Sequence, residues 1–124
     1  MANVKKYIVQ PYVYESKNVI YDESLNIVKG HMFAAVGDFL IVKVEMVDVE
    51  GVSHLYDTND TGKLHLYYEN SENPLYIFDL DSNFETLIDL TTAKIGNYYI
   101  KAFIHNEVAG QAFSSAEIKL KVGR

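Results

Sequence analysis

The 124-residue chain contains no cysteine and no tryptophan. Without cysteine there is no disulfide, thiolate metal site or cysteine nucleophile, so packing alone has to hold the fold together. The same absence fits the cytosol and any compartment in which disulfides are optional. Glycine (7) and proline (2) are too scarce for a collagen-like or low-complexity chain. No apolar run approaches the roughly 18 residues that would mark a membrane-spanning helix. Near the start, Tyr7-Ile8-Val9 is bounded by Lys6 and by Gln10-Pro11. It is too short to be the core of a signal peptide, and a product made and kept in the cytoplasm, unless another machine exports it or lysis releases it, is expected. Positive charge is also short, with 11 Lys and Arg against 17 Asp and Glu and a formal net charge of −6. That balance opposes binding to a phosphate backbone or an anionic membrane, which depends on clustered cations. The short basic pairs Lys5-Lys6 and Lys119/Lys121 read as solvated strand faces.

What is present favours strands. Hydrophobic residues make up 48% of the chain, enough for one core and too few for two, and 10 Tyr and 6 Phe suit pleated, half-buried surfaces. The clearest strand spans residues 39–47, where Leu40, Val42, Val44 and Met46 alternate with Ile41, Lys43 and Glu45. A second candidate covers 52–56. In 63–69, Leu64, Leu66 and Tyr68 alternate with Lys63, His65, Tyr67 and Glu69, and 75–80 follows after a proline turn. In the last third, Tyr98, Ile100, Ala102 and Ile104 form one apolar face; Ala116, Ile118, Leu120 and Val122 form another. These two segments are expected to make an antiparallel hairpin against the core. Residues 84–95 satisfy both strand and helix periodicity; a strand to about Leu90 followed by a short helical turn is expected, because Thr91-Thr92 is poor helix interior. The N-terminal part, residues 1–30, contains Pro11 inside a Tyr-rich stretch and reads as an edge strand or arm, with residues 31–124 as the main body.

Residues 91–102 carry a more specific pattern. Gly96 stands two residues before Tyr98, and Ile100 two after it. This spacing resembles the E–F corner and F strand of immunoglobulin-like domains, in which a corner tyrosine bonds back to the turn before it. The resemblance implies an all-β fold, a single immunoglobulin-like antiparallel β-sandwich with an N-terminal strand or arm. Ile100 occupies the place of the antibody cystine, and no Trp exists for strand C, which sets antibody domains aside and leaves the aliphatic-cored bacterial and phage modules. Among those, a lone short domain with no export signal resembles phage head-decoration, tail or baseplate proteins. The function so implied is a structural or protein-interaction component of a virion, assembled in the host cytoplasm. The alternative is a carbohydrate-binding or adhesion module at a bacterial cell surface.

Candidate sites follow from side-chain chemistry. Tyr12, Tyr14, Tyr21, Tyr67 and Tyr99 are the expected partner contacts, because tyrosine combines a large ring with a polar tip at low entropic cost. The partner is expected to be another protein or a second copy, with a glycan as the alternative and neither nucleic acid nor membrane. The loop Asp57-Thr58-Asn59-Asp60-Thr61-Gly62 offers oxygen ligands, but departs from the EF-hand pattern at its fifth position and at Tyr68. It is read as a solvated turn, with a calcium-dependent module using Asp57 to Asp60 as the weaker alternative. His31, His54, His65 and His105 lack zinc spacing, although His65 and His105 fall on outward faces. Carboxylate pairs such as Asp79/Asp81 and Glu85/Asp89 arise by chance among so many acids, and no nucleophile elbow or phosphate-binding loop occurs. No enzyme, metal or cofactor is expected.

Overall fold

The alternation of apolar residues divides each long strand into an inward and an outward face, and two sheets form around the inward ones. The computed structural model describes residues 7–16, 31–106, 108 and 110–123. Among them are nine strands and no helix: β1 (Tyr7–Ser16), β2 (His31–Ala35), β3 (Phe39–Asp48), β4 (Asp60–Tyr68), β5 (Tyr76–Asp79), β6 (Glu85–Asp89), β7 (Gly96–Asn106), β8 (Gln111–Ser114) and β9 (Ile118–Gly123). The smaller sheet has the order β1-β3-β6. The larger has the order β2-β9-β7-β4-β5, and β8 also pairs with β7. Every ladder is antiparallel except β2–β9, which is parallel.

One core fills the space between the sheets. Leu40, Val42, Val44 and Met46 of β3 meet Leu64 and Leu66 of β4, Tyr98 to Ile104 of β7 at alternate positions, and Ile118, Leu120 and Val122 of β9. Each such aliphatic side chain, removed from water, contributes about 1.5–3 kcal/mol. Val9 and Pro11 of β1 are buried too, so the N-terminal strand is a member of the smaller sheet along its whole length. Pro11 is tolerated because β1 lies at the sheet edge, where one side of the strand needs no ladder partner. Gly62 is buried where β4 crosses the core; a Cβ there would stand 2.5 Å from a Leu80 methyl and 3.0 Å from an Ile104 methyl.

Three sequence expectations are corrected. Residues 52–56 are not a strand: one isolated bridge, Val47 to Ser53, forms there, and the His54 N–H and Tyr56 hydroxyl donate to the Met46 (2.8 Å) and Val44 (2.9 Å) carbonyls of β3. The Asp48 carboxylate accepts the N–H groups of Glu50 and Val52 and folds this stretch into a capped turn, leaving Leu55 88% exposed. After Leu90 the chain makes a turn rather than a helical one, with the Thr91 N–H held by Asp89. The last strand, expected from Ser115 to Val122, begins only at Ile118, and a separate strand, β8, precedes it. Ser115, not Ala116, points inward: its Oγ accepts the Ala102 N–H (2.8 Å) and donates to the Ala116 carbonyl (2.8 Å), while its own N–H donates to the Ala102 carbonyl (2.9 Å). A side-chain oxygen thus replaces a ladder carbonyl, alternation slips by one residue, and Ala116 faces water.

Candidate binding surface

Because Leu64, Leu66, Ile100, Ala102, Ile118 and Leu120 face the core, their neighbours form the outer face of the larger sheet. These are Lys63, His65 and Tyr67 of β4, Tyr99, Lys101, Phe103 and His105 of β7, and Lys119 and Lys121 of β9. Register brings them together. Tyr67 lies opposite Tyr99, and Tyr99 opposite Lys119 on its other side. His65 lies opposite Lys101, and Lys63 opposite Phe103.

The rings and cations interlock. The Lys101 ammonium sits over the Phe103 ring, 5.5 Å from its centroid, and the His65 ring packs on Phe103 at 4.5 Å. The Tyr67 hydroxyl lies 3.4 Å from His65 Nδ1. Partial burial lowers the His65 pKa, and the positive charges of Lys63 and Lys101 lower it further. Lys63 pairs with Asp79 of β5 at 2.8 Å.

The tyrosines named from sequence do not share one patch. Tyr67 and Tyr99 are adjacent, whereas Tyr12 lies opposite Lys43 on the outer face of the smaller sheet. The Tyr14 side chain and all of Tyr21 lie outside the described residues. In the corner, the Tyr98 hydroxyl donates to the Lys94 carbonyl at 2.8 Å, and Tyr68 donates to Ile95 at 3.2 Å. Burial raises the Tyr98 pKa. Gly96 leaves room for this contact: a Cβ on it would come within 2.5 Å of a Glu69 carboxylate oxygen and 3.0 Å of the Tyr68 hydroxyl. Ile100 is fully buried.

The acidic loop is closed by its own hydrogen bonds. Asp60, only 8% exposed, accepts the Asp57 N–H (2.9 Å) and the Asn106 amide (2.8 Å) and faces His54 Nε2 at 3.1 Å. Burial alone would raise its pKa, but these donors outweigh burial and hold it below the ordinary value. Sequence reading missed the partners Asn106 and His54 because they lie on other segments. His65 and His105 stand on separate rungs of the outer face, opposite Lys101 and Thr61. Among the described residues no group of three or more His, Asp or Glu side chains is placed to hold a metal ion.

The carboxylates named from sequence hold local structure. Asp81 accepts the N–H groups of Asn83 and Glu85, and Glu85 pairs with Lys43 at 3.7 Å. Between β5 and β6 the sheets part to leave a mainly apolar cavity of about 430 Å³, bordered by Leu66, Tyr76, Phe78, Leu87 and Tyr98. No family model matches the chain, and neither does any curated protein.

Proposed function

We propose that the chain is a non-enzymatic interaction module on an immunoglobulin-like sandwich, docking to a partner protein through the outer face of its larger sheet. Two features support the fold reading. The sheet orders β1-β3-β6 and β9-β7-β4-β5 follow the A-B-E and G-F-C-C′ arrangement of that fold, with β8 and β9 sharing the last strand. The Tyr98 hydroxyl also bonds back to the turn four residues earlier, as a corner tyrosine does.

The observation that carries the docking reading is the pairing of Tyr67 with Tyr99 on an outer face that also holds four lysines. Half-buried rings on rigid strands lose little entropy on binding, which is why tyrosine anchors interfaces. The sequence resemblance implies a phage particle as the assembly, joined in the host cytoplasm through its head, tail or baseplate.

A photo-reactive amino acid placed at position 99, and separately at position 12, tests the reading in the source cell. A discrete protein adduct from position 99 and none from position 12 is expected. An adduct from position 12 alone, or none from either, overturns the reading. So does binding of the purified chain to a glycan array that is lost in Tyr67→Ala/Tyr99→Ala, since it assigns the face to carbohydrate.

A further inference from the structure

The lysines of the outer face are not scattered. Lys63 lies opposite Phe103, two residues along β7 from Lys101; Lys119 lies opposite Tyr99, two residues from Lys101 on the other side. Lys63, Lys101 and Lys119 therefore form a diagonal that crosses β4, β7 and β9 one strand at a time, and Lys121 continues it along β9. A strand spacing of about 4.8 Å and a rise of about 3.4 Å per residue separate successive Cα atoms on the diagonal by roughly 8 Å.

This row of positive charge sits in a chain whose net charge is −6. Of the carboxylates at its margins, Asp79 is engaged by Lys63 and Glu69 by the Asn97 N–H, while Glu117, two residues before Lys119, is exposed. Among the described residues no carboxylate pairs with Lys101, Lys119 or Lys121. In an extended peptide, alternate side chains stand about 6.8 Å apart on one face, close to the lysine spacing. A single nucleic-acid strand would need open ring faces for its bases. The Phe103 ring is instead packed by the Lys101 ammonium and the His65 ring.

We infer that the outer face binds an acidic, extended segment of a partner protein, its carboxylates laid along Lys101, Lys119 and Lys121, with Lys63 at the end of the diagonal held by Asp79. The inference rests on the docking reading above and names the chemistry of the partner. Such binding falls steeply with salt, because the lysines are exposed to screening.

The test is an NMR titration of the full isotope-labelled chain with octaglutamate, repeated with an oligothymidylate of eight residues. Octaglutamate is expected to shift the amides around Lys101, Lys119 and Lys121 and to raise the titration midpoint of His65. Lys101→Glu/Lys119→Glu is expected to weaken it at least tenfold, while Lys94→Glu, away from the diagonal, leaves it unchanged. Oligothymidylate is expected to bind at least tenfold more weakly than octaglutamate. Equal or tighter oligothymidylate binding overturns the inference, as do shifts spread over the whole surface or indifference to the charge reversal. If octaglutamate fails to bind while the position-99 adduct still forms, the acidic segment is refuted and the docking reading survives; if octaglutamate binds and the adduct is absent, the docking reading fails by itself.

Discussion

Replacing Ser115 by alanine removes one oxygen from the link between β8 and β9. The Ser115 Oγ is the acceptor of the Ala102 N–H at 2.8 Å, and Ala102 is fully buried. Alanine leaves that N–H without a partner in the dry interior, and a buried unsatisfied donor costs about 1–3 kcal/mol. Taking about 2 kcal/mol, and a melting entropy of about 2.1 cal/mol/K per residue over 124 residues, the melting temperature is expected to fall by about 8 °C. Ser114, one residue earlier and exposed, is the control; its alanine variant is expected to stay within about 0.5 kcal/mol of the parent. Thermal melts by circular dichroism give the shift, and hydrogen exchange reports the Ala102 amide, which should lose protection in the Ser115 variant. A Ser115→Ala protein that melts within 2 °C of the parent, with the Ala102 amide still protected, would refute the reasoning.

Other outcomes follow from the same contacts. Tyr98→Phe keeps the ring and loses the hydroxyl bond to the Lys94 carbonyl, so urea unfolding should show a loss of about 1 kcal/mol. Gly62→Ala forces a methyl against Leu80 and Ile104 and is expected to cost about 1–3 kcal/mol in the same assay. The Asp60 carboxyl is held below its ordinary value of 3.8 in the folded state, so its contribution is complete above that pH and is lost as pH falls through the folded value. The urea midpoint should therefore drop on acidification below about pH 4, and Asp60→Asn should start lower at pH 7 and fall less steeply. The His65 pKa is lowered from 6.5, so the unfolded chain takes up its proton first; stability is full above 6.5 and declines as pH drops toward the folded value. NMR titration of the His65 ring should place its midpoint below that of a free histidine.

The strands that frame the core were legible because their periodicity is strict. Residues 39–47, 63–69 and 98–104 alternate without interruption, and each alternating set lies in the interior or on the outer face as expected. Residues 52–56 misled because Val52, Leu55 and Tyr56 look like strand residues, while the turn is fixed by the Asp48 carboxylate, whose geometry no propensity reveals. Ala116 misled for a related reason. Ser115 enters the ladder through its side chain, and a slip of one residue reverses which neighbours face inward.

The proposed docking face was only half visible. Tyr67 and Tyr99 could be named from their outward positions, but Tyr12 carries the same signature and lies on the opposite sheet. The lysine diagonal draws on β4, β7 and β9, and Lys119 and Lys121 read alone as an ordinary solvated face. Only the register between these strands aligns them with Lys63 and Lys101.

Electron microscopy of the assembly isolated from the source cell, at a resolution that places this chain and its neighbour, tests the docking face most directly. The neighbouring protein should rest on Tyr67, Tyr99 and Lys101 and leave Tyr12 in solvent. A neighbour seated on the smaller sheet, with Tyr67 and Tyr99 open to water, would contradict the account.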